Sequence, residues 1–192
     1  MGPKVATIAS YDAHIEQLVD VAERLKAAFD EAGVDYRIVG GLAVFLHVRD
    51  RDPLAARTTR DVDVAVRRND LEQIRAAAAG SGFEFRHAAG VDMLVDRESP
   101  SVRSAVHFVF LNEKVQPDYL EPVPAMPDAV RSTDGLLLGS VADLVTMKLT
   151  SFRLKDQVHI QDIDGVGLIT DEMEQGLSSE LRKRLEQVRA QR

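Results

Sequence analysis

The feature that most constrains this chain is the alternating run TTRDVDVAV at residues 58–66. Within it, Asp61 and Asp63 alternate with valines. Because successive side chains of a strand point to opposite faces, the two carboxylates would share one face and the valines the other. The run therefore predicts a strand that packs its apolar face on a core and presents two neighbouring acids on its other face.

Two neighbouring carboxylates repel each other unless a cation lies close by. Mg²⁺ is the expected cation because proteins often hold it with one or two carboxylates together with the phosphates of a substrate. An NTP is then the expected companion of Asp61 and Asp63. A pair of acids on a solvated strand is the simpler alternative.

Gly40 and Gly41 precede this run and lie between two further predicted elements. Residues 36–39 predict a strand, and an apolar helix follows from Leu42 to near Arg49. The N–H groups at a helix start carry partial positive charge, and glycine leaves them accessible to a phosphate. A tight turn is the alternative for the same pair. We expect the acids to face this helix start across a gap the size of a triphosphate.

The order of strand, Gly-Gly, helix and Thr-x-Asp-x-Asp resembles the nucleotidyltransferase superfamily, whose fold is shared with DNA polymerase beta. The matching residues are Val39-Gly40-Gly41 and Thr59 with Asp61-Val62-Asp63. The resemblance implies a compact α/β (α+β) fold, in which a small mixed sheet is flanked by helices and followed by a helical C-terminal part. It also implies transfer of an NMP from Mg-NTP to a hydroxyl acceptor, which would be a tRNA, a protein or a small molecule.

The expected position of a third carboxylate departs from the pattern of that superfamily. The matching strand, residues 106–111, carries His107 and no acid. Imidazole is a poor ligand for Mg²⁺, so His107 is expected either as a general base towards the acceptor hydroxyl or as an ordinary half-buried histidine. Asp92 and Asp96 are candidates for the missing acid. The alternative function is therefore a nucleotide-binding or protein-interaction module that has lost catalysis.

A second group of charged residues lies towards the C-terminus. Lys148, followed by Arg153-Leu154-Lys155-Asp156 and then Asp162, resembles the AbiEii-like, toxin-type branch of the same superfamily. The resemblance implies that Lys148 and Lys155 contact the phosphates and that Arg153, Asp156 and Asp162 support the nucleotide pocket. It also implies a toxin role with an antitoxin partner. The spacing aligns Lys148, Ser151 and Lys155 on one helix face, for which a solvated charged face is the alternative.

Composition limits the remaining function classes. A net charge of −7 argues against a broad nucleic-acid footprint, because such binding depends on Lys and Arg. The chain has no apolar run long enough to span a bilayer and no signal-like apolar segment after Met1, so we expect a cytoplasmic protein with no membrane partner. The absence of cysteine excludes disulfides, thiolate zinc sites and a cysteine nucleophile. A homodimer is compatible with these features. Arginines cluster near the acids, and we expect them to pair with neighbouring aspartates: Arg49, Arg51, Arg57, Arg60, Arg67 and Arg68.

Periodicity and breaker residues predict the remaining organisation. Residues 1–135 are expected to form the α/β core and residues 136–192 the helical part that closes the nucleotide site, the two making one compact unit. Four further helices are expected: one at 12–32 capped by Asp12 and ended by Gly33, one at 70–79 capped by Asn69, one from Ser140 with Asp143 in its capping box, and a last one at 178–189. A further strand is expected at 83–86. The expected loops are a polar loop at 50–57 and a proline-rich linker at 112–139 that crosses the sheet.

Overall fold

The computed structural model describes residues 8–57, 59, 61–98 and 105–191, without the side chains of residues 8–13. Thr58 and Arg60 of the alternating run lie outside the described residues. The elements are α1 (Ile8–Ala32), β1 (Tyr36–Val39), α2 (Gly40–Arg51), β2 (Val62–Val66), a short 3₁₀ turn (Arg68–Asp70), α3 (Leu71–Gly80), β3 (Phe83–Ala88), β4 (Val91–Asp96), β5 (Val106–Phe110), β6 (Val130–Arg131), β7 (Leu137–Leu138), α4 (Val141–Ser151), α5 (Leu154–Gly165), α6 (Asp171–Gly176) and α7 (Ser179–Arg189).

The valine-rich strand β2 lies in the middle of a mixed sheet. Over the described ranges this sheet has seven strands in the order β3-β4-β5-β2-β1-β7-β6. β2 runs antiparallel to β1 and parallel to β5, while β7 runs parallel to β1. The predicted fold class, a mixed sheet flanked by helices, is confirmed.

The two faces of β2 differ as the alternation predicts. Val62 and Val64 are almost fully buried. Tyr36 shares their face because it is the register partner of Val66 on β2. On this side the rings of Phe29 and Tyr36 meet edge to face with centroids 5.3 Å apart. Asp63 belongs to the opposite face, where it is only partly buried. The apolar half of the strand thus anchors the sheet and leaves the carboxylate half available.

The C-terminal helices pack on one another and on α2. α4 contacts α5 and α7, and both α4 and α5 contact α2. His47 on α2 lies with Nε2 2.9 Å from the carbonyl oxygen of Gly139, which holds α2 against the residues that precede α4. β7 also lies beyond residue 135 and pairs with β1, so residues 136–192 add a strand to the sheet as well as helices.

The proline-rich linker crosses the sheet as expected. It leaves β5 on one side of β2 and returns as β6 and β7 beyond β1. The capping box that opens α4 is also confirmed, because Ser140 Oγ accepts a hydrogen bond from the Asp143 amide at 3.1 Å while the Asp143 carboxylate accepts from the Ser140 amide. Among the described residues, no helix has the combination of length and apolarity that crossing a bilayer requires.

Several predicted boundaries are wrong. α1 already includes Asp12 in its backbone, so Asp12 does not cap it. α2 begins at Gly40 and runs to Arg51, which makes the polar loop shorter than expected. Asn69 lies in the 3₁₀ turn and does not cap α3. These errors arise because caps and chain turns depend on contacts that periodicity does not report.

Candidate active site

Strand pairing brings the second acid of the motif to the start of α2. Val39 is the register partner of Asp63 across β1 and β2, and Gly40 follows Val39 as the first residue of α2. Gly40 has φ +69°, and a Cβ atom at this position would lie 1.9 Å from Asp63 Oδ2. Only glycine is compatible with both the backbone conformation and this contact. Asp63 therefore faces the helix start as predicted. Its carboxylate touches Gly40, however, so the predicted gap the size of a triphosphate between the acid and the helix start is wrong.

Gly41 and Thr59 pack against each other beside this contact. A Cβ on Gly41 would lie 2.3 Å from Thr59 Oγ1 and 3.5 Å from His159 Cε1. The carbonyl oxygen of Thr59 is 3.1 Å from His14 Nε2 on α1. The second glycine thus lets the segment before β2 lie directly on α2, and neither Gly41 nor Thr59 is among the residues that line the adjacent cleft.

His107 lies beside Asp63 because β5 is the parallel neighbour of β2. Their register partners place Nδ1 of His107 3.7 Å from Asp63 Oδ1, with both side chains partly exposed. The interaction with Asp63 raises the pKa of His107; partial burial opposes this effect, and the Asp61 carboxylate adds to it. His107 is thus held next to the acid by strand pairing.

Neither candidate for the missing acid stands beside Asp63. Met93 is the register partner of His107 on β4, and Asp92 instead contacts His87 Nδ1 at 2.6 Å. Asp96 at the other end of the strand is paired with Arg24 of α1. Asp92 nevertheless lines the same cleft as Asp63, whereas Asp96 is not among its lining residues.

A buried charge network forms the wall opposite Asp63. The Asp156 side chain is fully buried and accepts hydrogen bonds from Lys148 Nζ at 3.2 Å, Ser151 Oγ at 2.8 Å and Arg153 Nε at 2.6 Å. Burial acts to raise the pKa of Asp156, but its hydrogen bonds and cationic neighbours outweigh burial and hold the pKa below its usual range. Burial lowers the pKa of Lys148, and Asp156 partly offsets that effect. The network fixes Lys148 and Arg153 at the cleft.

The predicted alignment of Lys148, Ser151 and Lys155 on one helix is wrong. Phe152 adopts φ +50° and ends α4, and a new helix, α5, begins at Leu154. Lys155 is exposed on α5 and is not among the residues that line the cleft. The chain turn at Phe152 instead brings Arg153 next to Asp156.

The arginines near the acids are mostly paired with carboxylates, which matches the favoured interpretation. The Asp162 carboxylate on α5 is 2.9 Å from Arg57 Nε, so this acid holds the segment before β2. Asp162 is not among the residues that line the cleft. The other partners are Asp50 and Asp134 for Arg49, Asp35 for Arg67, and Glu113 for Arg68, while Arg51 donates to the carbonyl of Val166.

Five of the expected site residues come together at a cleft of about 470 Å³. They are Gly40, Asp63, His107, Lys148 and Arg153. The same cleft is lined by residues that the sequence analysis did not assign to the site, from the turn between β3 and β4 and from the loop at residues 113–123. Loop residues carry no periodic signal, so only the proline-rich character of the linker pointed to this region.

His159 is a further residue that sequence reasoning missed. Its Nδ1 is buried and has no hydrogen-bond partner among the described residues. Burial lowers the pKa of His159 to about 4, and the nearby Lys148 acts in the same direction. Its Cε1 lies 3.5 Å from the Cβ position of Gly41, so the imidazole packs against the start of α2.

The carboxylates near the cleft are candidate ligands for a divalent metal. Among the described residues, no group of three His, Asp or Glu side chains is placed to hold an ion. Asp63 lines the cleft. Asp61, predicted as the second ligand, is not among the lining residues, but its carboxylate is near enough to contribute to the raised pKa of His107. Mg²⁺ prefers such carboxylate oxygens and normally completes its shell with waters and substrate phosphates. The residues thus suit Mg²⁺ that arrives with a triphosphate.

Comparison with protein-family models and with curated proteins finds no match for this chain. Solved structures do match. A nucleotidyltransferase-like antigenic protein from Paracoccidioides brasiliensis superimposes with a TM-score of 0.56 at 16% identity, over 92% of this chain and 88% of that chain. The chain has a nucleotidyltransferase-like fold.

Two structures of the antibiotic-resistance factor ANT(2'')-Ia share this fold. The crystal structure with adenylyl-2''-tobramycin gives a TM-score of 0.52 at 14% identity, over 92% of this chain and 98% of that chain. The solution structure gives 0.51 at 14% identity, over 93% and 91%. At this level of identity, the comparison establishes the nucleotidyltransferase-like fold and leaves activity to be argued from the site.

Proposed function

We propose that this chain transfers an NMP from Mg-NTP to a hydroxyl acceptor. The observation that carries the proposal is the meeting of Asp63 and the glycine-led start of α2 in one cleft with Lys148 and Arg153. A carboxylate, a positive helix end and two fixed cations are the groups that a metal-bound triphosphate needs. The nucleotidyltransferase-like fold supports the same reading.

In the proposed reaction, the site residues have different roles. Asp63, assisted by Asp61, holds Mg²⁺, which when bound neutralises charge on the triphosphate. Lys148 and Arg153 contact the phosphates and are oriented by Asp156. His107 accepts the proton of the acceptor hydroxyl, for which a neutral imidazole is suited, as the hydroxyl oxygen attacks the α-phosphorus and pyrophosphate leaves.

The remaining expected residues act at the margin of the cleft. Gly40 contributes its helix start, while Gly41 and Thr59 hold α2 against the segment before β2. Lys155, exposed on α5, reaches phosphates only at the mouth of the cleft. Residues 1–135 and 136–192 work as one unit in which the helical part closes the nucleotide site.

We further propose a branch of the superfamily, a location and partners for this chain. The charged residues of α4 and α5 support membership of the AbiEii-like, toxin-type branch, which would act in the cytoplasm and be controlled by an antitoxin, with or without homodimerisation. The acceptor is a tRNA, a protein or a small molecule. The aminoglycoside product bound to ANT(2'')-Ia makes a small molecule the first candidate to test.

The test is transfer of radiolabel from each α-³²P-labelled NTP, with Mg²⁺, to total tRNA, to cell protein and to a panel of small hydroxyl compounds that includes tobramycin. We expect labelled product with one of these acceptor classes and none with the Asp63→Asn variant. Label incorporation that is equal for wild type and Asp63→Asn would refute the proposed site.

A second candidate function is a nucleotide-binding or protein-interaction module without catalysis. It is favoured by one observation, which is that His107 stands where the superfamily pattern has its third carboxylate. The two candidates separate cleanly: Mg-dependent NTP binding without transfer to any acceptor identifies the module, and transfer identifies the enzyme.

A further inference from the structure

One wall of the cleft has no role in the proposed transfer. This wall is the loop at residues 113–123, which follows β5. Its two ends are joined because the Asn112 amide donates to the Val123 carbonyl and the Val123 amide donates to the Glu113 carbonyl, each at 2.9 Å. Near its end, the Glu121 carboxylate accepts a hydrogen bond of 2.6 Å from Ser178 Oγ. The loop is therefore a fixed surface fastened to the helical part.

This loop brings an aromatic ring to the cleft. Phe108, Phe110 and Tyr119 are the lining residues with phenyl or phenol rings. Phe108 is only 5% exposed and belongs to the core, and the Arg68 guanidinium lies 3.7 Å from the ring centroid of Phe110. Within the described part of the chain, the half-buried ring of Tyr119 has no such aromatic or cationic partner.

Tyr119 is close to the phosphate end of the cleft. Arg153 forms part of that end, and its pKa is raised first by the hydrogen bond to Asp156, with further contributions from Tyr119 and Asp63. Arg153 is thus close enough to the Tyr119 phenol and the Asp63 carboxylate for both to affect its pKa. The rest of this wall is partly apolar, since Val115 and Pro122 also line the cleft, and it carries the carboxylates of Glu113 and Glu121. A planar, weakly polar group suits this surface better than a triphosphate does.

We propose that the base of the bound nucleotide stacks on Tyr119. The inference rests on the proposed function, because the position of the triphosphate at Gly40, Lys148 and Arg153 sets where the base can lie. Aromatic stacking is tolerant of base identity because every base has a π face. The site therefore binds purine and pyrimidine NTPs with similar affinity.

The test compares two ligands that differ by the nucleoside. Binding of Mg-ATP and of inorganic triphosphate with Mg²⁺ is measured by titration calorimetry for the full chain and for Tyr119→Ala and Tyr119→Phe. We expect Tyr119→Ala to weaken ATP about ten-fold, the loss typical of one base–aromatic stack, and to leave triphosphate binding unchanged. Tyr119→Phe keeps the ring and is expected to retain wild-type affinity for ATP.

Three results would overturn the inference. They are unchanged ATP affinity in Tyr119→Ala, an equal loss for ATP and triphosphate, and equal affinity of the wild type for the two ligands. A wild-type protein that binds neither ligand would instead refute the proposed function, and the base-stacking site with it. Melting temperatures of both variants verify that they are folded.

Discussion

Replacing Gly40 with alanine tests the contact on which the site is built. Gly40 combines a left-handed backbone, φ +69°, with a Cβ position that lies 1.9 Å from Asp63 Oδ2 and 2.8 Å from Asp63 Cβ. Gly33 provides a matched control because it also has a left-handed backbone, φ +67°, but nothing lies within 4 Å of its Cβ position. The two substitutions share the backbone strain and differ in the clash.

The expected magnitudes follow from these two contributions. A left-handed conformation costs an alanine about 1–2 kcal/mol, and this is the loss that we expect for Gly33→Ala. Gly40→Ala adds overpacking against Asp63, typically about 1–3 kcal/mol, for a total of roughly 2–5 kcal/mol. Removing the whole obstructing side chain, including its Cβ, in the pair Gly40→Ala with Asp63→Gly should recover much of the second contribution.

Urea denaturation of Gly33→Ala, Gly40→Ala, Asp63→Gly and the double variant at positions 40 and 63 measures these differences. The account predicts a larger loss for Gly40→Ala than for Gly33→Ala, and a coupling between positions 40 and 63 of about 1–3 kcal/mol. Equal losses for the two alanine variants, or additive effects in the cycle, would show that Asp63 does not lie against α2.

Two further predictions concern buried groups near the cleft. Asp156→Ala leaves the Lys148 ammonium buried without its carboxylate, so we expect a loss of about 3–5 kcal/mol in urea denaturation, and a loss below about 1 kcal/mol would contradict the buried pair. Replacing both, as Lys148→Met with Asp156→Leu, should cost less because no buried charge is left unpaired; the Arg153 guanidinium that also loses Asp156 is 54% exposed to solvent. His159, with a pKa lowered to about 4 by burial, should reduce stability as pH falls from 6.5 towards 4, because the unfolded chain takes up the proton first. The difference approaches about 3 kcal/mol, and His159→Phe should remove it in urea denaturation at pH 7 and pH 4.5.

Local sequence signals were sufficient for β1, β2, β3 and β5 and for one helix start, whereas the short strands β6 and β7 lie inside the range predicted as a linker. β1 lies where the sequence predicts it, and β2 begins at Val62 within the predicted run. The capping box of Ser140 and Asp143 forms as predicted. These features depend on side-chain alternation and on hydrogen bonds within a few residues, which the sequence displays directly.

Features that depend on distant contacts could not be read from the sequence. The helix break at Phe152 replaces a continuous helical pattern, because the Asp156 carboxylate gathers Lys148 and Arg153 from two elements. Tyr119 reaches the cleft through a loop closed by backbone hydrogen bonds, for which no periodic signal exists. The proximity of Asp63 to Gly40 followed from the motif order, whereas their direct contact required the strand register.

The central claim, a metal-nucleotide site organised by Asp63, is tested most directly by titration calorimetry of each NTP with and without Mg²⁺. Wild type, Asp63→Asn and the control Asp20→Asn should be compared, since Asp20 is an exposed acid of α1 paired with Arg24. The account predicts Mg-dependent NTP binding in wild type and Asp20→Asn, and its loss in Asp63→Asn. NTP binding of equal affinity in all three proteins, or binding by none of them, would contradict the account.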